Sequence, residues 1–435
     1  MSISQDTPLP SAPARAEPIS APSEPLATPA FTGAPLLPMP SAQPVALAPN
    51  VKLLAPLSRR GHGPGLVLVV PPSPPSSSSA SFAEEAQAKP LDPLPLVKWA
   101  EEGYTVLQVT VGGPEEGEWA IEKVLEEGVK LCEMDECTGS EVGVIVYEPA
   151  ALELVIKAIP FQPLIKCLVA WGSVDTACSV PVLEHSLGAT TSEAAASATL
   201  ATQQTFRYPS AHSAYFPLPD RPETYDPASA ALAHTRSLEF LKNRDMLDGP
   251  RFDLDEHTWY EFEERSLEKT MATMVAEPYV NNIPTLTGGI GRVALTEFYN
   301  KHFIHQNPRD TRLHLVSRVK GIDRVVDEFV ATMTHDQTID WLLPGIPATG
   351  KQLSIPTVAI VCFRGDRLYH EHIHWDQATV LKQLDLLPAR SSFGAAPDKG
   401  SFRLPVAGTE TSAKLRDEQG ARSNEMLERE WQEGP

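Results

Sequence analysis

The 435-residue chain is predicted to fold as an α/β domain followed by an α+β domain, and three observations predict it. Its length exceeds one ordinary core of roughly 100–200 residues. Between Leu66 and Ala170 short apolar runs alternate with helical stretches, as a parallel sheet with crossover helices requires. Beyond the Gly249-Pro250 break, helices come first and strands follow, which segregates helices from a mostly antiparallel sheet.

The elements follow in chain order. Residues 1–50 are rich in Pro, Ala and Ser and hold too little apolar surface to offset chain ordering, so a disordered tail is expected. A domain spanning 51–246 opens with Leu66-Val67-Leu68-Val69-Val70, a continuous apolar run of the kind that forms a fully buried parallel strand. A helix over Leu96–Glu102 ends at Gly103, and Tyr104–Val109 is the next strand. A helix over Glu118–Leu131, a strand over Val142–Tyr147, a helix around Leu152–Ile159 and a strand over Ile165–Ala170 complete the alternation. The second domain, 250–388, begins with a helix whose acidic first turn, from Asp253, suits the positive helix end; Tyr260, Leu267, Met271 and Met274 form its apolar stripe. A second helix covers Gly291–His302, and strands are predicted over 312–320, 324–334, 355–364 and 368–375. Residues 389–435 return to small and charged residues and read as a disordered tail, with a short helix at Met426–Trp431 as the alternative.

Composition narrows the function. Lys and Arg total 36 against 56 Asp and Glu, and the net charge of −20 disfavours the phosphate backbone of nucleic acids. No apolar run approaches the roughly 18 residues needed to span a bilayer, and the first residues lack the basic start and apolar core of a signal peptide. The five cysteines are odd in number and lack zinc-type spacing, which fits reduced thiols. A cytoplasmic protein without a nucleic-acid or membrane partner, and without a cofactor or a resident metal, is expected.

Two stretches resemble known families. Ala100-Glu101-Glu102-Gly103-Tyr104, the loop Tyr208–Phe216 around His212, and the helix Tyr225–Leu241 resemble the dienelactone hydrolase family of α/β hydrolases over about Val51–Asn243. That family needs a cysteine nucleophile on a Gly-rich turn, a histidine base and an acid that orients it. Here His212 matches the base, Val146-Tyr147-Glu148-Pro149-Ala150 stands at the nucleophile turn without Cys or Ser, and Leu187–Leu200 holds no Asp. The resemblance therefore implies an inactive hydrolase-like domain, with residual ester or lactone hydrolysis as the alternative.

The second stretch, Asp253–Leu387, resembles the SnoaL-like branch of the nuclear transport factor 2-like superfamily through Gly291 with its following helix, the strand Val325–Thr334 and the ending His374-Trp375-Asp376-Gln377. This resemblance implies a curved sheet wrapped around helices, a pocket for an apolar oxygenated small molecule, a homodimer through the sheet, and Asp376 as the general acid/base of a cyclase or isomerase. Alternation along a strand puts His370, His372, His374 and Asp376 on one face, and His372 and His374 are the proton partners expected for Asp376. His335, at the end of a neighbouring strand, is expected on the pocket rim, with Tyr279, Asn281 and Asn282 as further hydrogen-bonding candidates. Two other readings of the same face stay open: a polar patch with Asp376 capping the helix through Leu381, and a His/Asp metal site. A non-catalytic ligand-binding or scaffold fusion is the other functional class.

Overall fold

The protein is seen in a computed structural model that describes residues 43–74, 90–112, 120–188, 203–247, 251–392 and 400–428. Two sheets organise it. The first holds β1 (Val45–Ala48), β2 (Val51–Leu54), β3 (Gly63–Val70), β4 (Thr105–Thr110), β5 (Cys137–Val146), β6 (Ile165–Trp171), β7 (Val182–Leu187) and β8 (Gln203–Tyr208). The helices α1 (Pro95–Glu101), α2 (Ile121–Val129), α3 (Leu152–Ala158) and α4 (Pro227–Lys242) connect or follow these strands. The strand order is 1-2-4-3-5-6-7-8; β3 to β8 run parallel to one another, while β2 is antiparallel to both β4 and β1 at the edge.

All eight residues of β3 are buried, as its unbroken apolar run requires of a central strand covered on both faces. One face packs around Trp99, Tyr104, Leu238 and Leu241, and the other around Val124, Leu125, Val155 and Leu168. The domain starts earlier than the composition suggested: Val45–Ala48 pairs with β2, while residues 1–42 of the expected tail lie outside the described residues.

The second domain consists of α5 (Leu254–Phe262), α6 (Leu267–Ala272), β9 (Met274–Asn282), β10 (Thr287–Ile290), α7 (Arg292–Phe298), β11 (Arg312–Lys320), β12 (Arg324–Thr334), β13 (Gln352–Arg364), β14 (Arg367–Trp375) and α8 (Gln377–Gln383). Its sheet runs 10-9-14-13-12-11 and is antiparallel except where β14 meets β9. This is an α+β arrangement, with the helices packed on one side of the sheet around Phe298, Tyr299, Ile304, Leu343 and Val361.

Two details correct the reading of the sequence. The apolar stripe from Tyr260 to Met274 is not one helix: Arg265 takes a positive φ of 55°, the chain turns, Ser266 caps α6, and Met274 opens β9. The expected C-terminal tail is also partly folded. Within it, β15 (Arg390–Ser392) pairs with β16 (Ser401–Arg403), and α9 (Glu410–Arg416) lies against β13, where the buried Ser412 hydroxyl donates to the Ser354 carbonyl at 2.7 Å. Of Met426–Trp431, Glu425–Leu427 forms one 3₁₀ turn and residues 429–435 lie outside the described residues.

The two domains are joined by buried charges. The Arg364 guanidinium, 3 % exposed, donates to Glu101 at 2.7 Å and to Asp92, which also takes a 2.6 Å bond from Lys98. Glu102 receives Arg251 at 2.6 Å, His234 at 2.8 Å and the Gly365 amide at 3.1 Å. Burial pushes the Glu102 carboxyl up, but Arg251 and His234 outweigh it and hold it well below the usual carboxylate range. Among the described residues no helix is long and apolar enough to cross a membrane.

Candidate functional site

The second sheet curves around a cavity of about 1020 Å³. Strand alternation fills one face with inward side chains: Phe329, Ala331 and Met333 from β12, Ile355, Thr357 and Ala359 from β13, and Glu371, Ile373 and Trp375 from β14. Glu261 and Phe262 of α5, with Tyr299, Phe303 and Trp341, close the opposite wall. At one end Arg318 bridges Asp327 at 2.7 Å and Asp255 at 2.9 Å. The interior is aromatic, with a few polar groups set into it.

Those polar groups converge. His257 and Glu261 stand one turn apart on α5, and Glu371 reaches them from β14, so that ligating atoms of the three buried residues come within 4.8 Å of one another. The Thr273 hydroxyl donates to the Thr270 carbonyl at 2.7 Å, so its oxygen accepts from His257 Nδ1–H at 2.6 Å. That leaves Nε2 toward Glu261, 3.1 Å from Oε1 but out of line for a hydrogen bond. Burial pushes His257 down, but Glu261 and Glu371 outweigh it and hold it above its ordinary value. This favours the imidazolium, whose two ring nitrogens both carry hydrogen and offer no lone pair to a metal ion.

Glu371 responds in the opposite sense. Burial, reinforced by the charge of Glu261, pushes its carboxyl up to about 8. Tyr299, 1 % exposed, is pushed well above its ordinary value by burial and by the same two carboxylates, so it stays a hydroxyl donor. Asn282, 1 % exposed on β9 beside Ile373, has no hydrogen-bond partner on either amide atom. A buried amide with both atoms unsatisfied is costly, and this one lies on the cavity wall.

The residues expected from the sequence are placed elsewhere. Asp376 is exposed and caps α8, accepting from the Ala378 amide at 3.0 Å and the Thr379 hydroxyl at 2.7 Å. His374 is exposed, and His372 and His370 lie on the convex side of β14, with Tyr279 against them at ring distances of 5.5 and 6.4 Å. The histidine face is therefore the outer face, because its alternates Glu371, Ile373 and Trp375 point inward. His335 is fully buried at the end of β12, 3.1 Å from Thr349 Oγ1, and does not line the cavity. Asn282 is brought to the cavity, while Tyr279 turns away from it. His257, Glu261, Glu371 and Tyr299 were missed. The available signal was a Glu sharing a strand face with Ile and Trp, since a charged residue on an otherwise apolar face is one that folding buries.

In the first domain His212 is exposed on the loop after β8 and has no hydrogen bond or ion pair among the described residues. Glu148, at the end of β5, caps the turn before α3 through the Ala150 amide at 3.0 Å and accepts from the Tyr215 hydroxyl at 3.0 Å. Neither arrangement supplies a nucleophile with a base beside it.

No family model matches the chain, and no curated protein matches it. Solved structures do resemble it. A proposed polyketide cyclase from Acidithiobacillus ferrooxidans is 22% identical, with 30% of this chain and 91% of that chain covered and a TM-score of 0.25. An NTF2-like protein of unknown function from Burkholderia pseudomallei is 16% identical, with 29% and 92% covered and a TM-score of 0.24. A protein with a ketosteroid isomerase-like fold from Catenulispora acidiphila, solved in complex with trimethylamine, is 12% identical, with 31% and 95% covered and a TM-score of 0.24.

Proposed function

We propose that the second domain is a SnoaL-like member of the nuclear transport factor 2-like superfamily, that its cavity binds an apolar oxygenated small molecule, and that Glu371 exchanges a proton with it. The carrying observation is the pair of buried carboxyls, Glu261 and Glu371, on the wall of an aromatic cavity. Two carboxyls this close in a low-dielectric site do not both ionise readily, so the pair retains a proton near neutral pH. With Glu371 at about 8, the proton sits on a group able both to donate it and to take it back at working pH, which is what general acid/base catalysis of a cyclisation or isomerisation needs. The His257 ring stands 3.1 Å from Glu261 Oε1, and in this reading the Tyr299 hydroxyl holds the ligand oxygen whose charge changes.

The first domain keeps an α/β architecture in keeping with its resemblance to dienelactone hydrolases, and in this reading it supports the second domain and carries no hydrolytic chemistry. The test begins with the small molecules that co-purify with the protein, identified by mass spectrometry. Glu371→Gln should retain binding of that molecule while its conversion falls about 10²-fold or more. Asp376→Asn should leave conversion unchanged. Equal turnover in wild type and Glu371→Gln would refute the acid/base role, and binding without any conversion would favour a ligand-binding fusion.

A further inference from the structure

Behind the two carboxyls of the cavity wall lie two residues that do not line the cavity themselves. Glu261 and Glu371 line it, whereas His257 and Thr273 are 0 and 1 % exposed. The Thr273 hydroxyl commits its one hydrogen to the Thr270 carbonyl at 2.7 Å, so toward His257 Nδ1, 2.6 Å away, it can only accept. Nδ1 therefore carries hydrogen, and the ring is held at that nitrogen. The same residue ties down the strand opposite: its carbonyl accepts the Leu368 amide of β14 at 2.8 Å, three residues before Glu371. One threonine thus holds both the helix side chain His257 and the strand that carries Glu371.

The other ring nitrogen is the unusual atom. Nε2 is buried without a hydrogen-bond partner, although Glu261 Oε1 stands 3.1 Å from it and the ligating atoms of His257, Glu261 and Glu371 lie within 4.8 Å of one another. A donor left open beside two acceptors is costly, and such an atom calls for a second state that uses it. The charges that face it are few. Glu256 and Glu261 face His257 from α5 and Glu371 from β14, while its contact at the end of α6, Thr273, is uncharged. Glu371 is faced by Glu261, His257 and Asp327 of β12. Arg59 holds Glu256 at 2.6 Å and Arg318 holds Asp327 at 2.7 Å, which leaves His257 for the inner pair.

We propose that Thr273 and His257 are the positioning residues of the carboxyl pair: Thr273 holds His257 through Nδ1, and the Nε2–H is kept for the carboxylate that forms when Glu371 gives up its proton. The proposal rests on Glu371 as the proton-exchanging group. In that step the O–H bond of Glu371 breaks, the proton passes to the ligand, and the electron pair stays on the carboxylate. No bond of His257 changes. The new negative charge beside the imidazolium strengthens the ring's hold on its own hydrogens, and Nε2–H pivots into line on the pair as a charge-assisted donor. Without that cation the buried carboxylate would stand uncompensated.

Ring-nitrogen NMR of the full chain, with no ligand added, tests this. At neutral pH both His257 nitrogens should carry hydrogen. As pH rises through about 8, where Glu371 ionises, the Nε2–H signal should move downfield while the ring stays protonated, and Glu371→Gln should remove that movement. Thr273→Val deletes the acceptor and should favour the neutral ring. The proton affinity of Glu371, read from its carboxyl carbon, should then rise about tenfold, and Thr273→Ser should restore both properties. A neutral His257 ring in the wild type, an Nε2–H signal indifferent to the ionisation of Glu371, or the same Glu371 titration in Thr273→Val and wild type would overturn the proposal. If Thr273→Val fails to fold, the wild-type and Glu371→Gln spectra decide. No conversion is measured in these spectra, so the turnover of Glu371→Gln judges the acid/base reading separately.

Discussion

Glu371 binds its proton more tightly in the folded protein than in the unfolded chain, at about 8 against 4.5. Its contribution to stability is therefore complete below about pH 4.5 and is lost as pH rises toward 8. His257, raised in the fold, acts in the same sense, whereas Glu102, held low, contributes stability that is lost as pH falls. Thermal unfolding followed between pH 5 and 8 should thus show a decline that flattens in Glu371→Gln, because glutamine has no proton to lose. An unchanged slope would mean that Glu371 is ionised at neutral pH and is no acid. Glutamine also preserves the shape of the carboxyl, so a large loss of stability at pH 5 is not expected.

At the scale of elements, Asp376 belongs to α8 and not to the cavity. Asp376→Ala should lower stability by about 1 kcal/mol through loss of the cap, measured by denaturant unfolding, and leave ligand binding intact. The strand before it was legible: 368–375 was expected and Arg367–Trp375 is found. Its inward face was not, because three histidines drew attention to one side while the physical marker of the inside, Ile373 and Trp375, lay on the other. The reading of α5 failed for a related reason. Apolar spacing continues through Tyr260, Leu267 and Met271 although Arg265 breaks the helix with a left-handed backbone, which helical periodicity cannot register. β9 escaped notice because Pro278 interrupts its pattern, and its pairing with β14 joins residues about 90 apart in sequence.

At the scale of the whole molecule, Arg364 ties the end of β13 to Asp92 and Glu101 of the first domain. Removing one member of a buried ion group leaves the others uncompensated, typically at about 3–5 kcal/mol. Arg364→Met should therefore weaken domain docking, and calorimetry should resolve a separate unfolding transition for each domain. Gly365 next to it holds φ at +56°, and a Cβ there would stand 2.6 Å from the Glu101 carbonyl oxygen, so Gly365→Ala should act in the same direction. Docking also covers part of the convex side of β9 and β14, so a homodimer through this sheet needs surface away from it, and the edge strand β11, where Val319 is 66% exposed, offers one. If such a dimer forms, light scattering should find Val319→Lys monomeric. None of this docking was visible in composition, since Asp92, Glu101 and Arg364 become partners only after both cores have formed.

The two-residue turn Gly365-Asp366 and the one-residue bulge at Tyr369 together fix which way the side chains of β14 face from His370 onward. One extra residue there would invert these faces, sending His370 and His372 into the cavity and Glu371 to the convex side. The strand is a party wall between the cavity and the first domain, and its hairpin is anchored from the first domain by the Glu102 carboxylate on the Gly365 amide and by Asp366 on the Arg59 amide. The part of the molecule without evident chemistry of its own thereby keeps the phase of the part that has it.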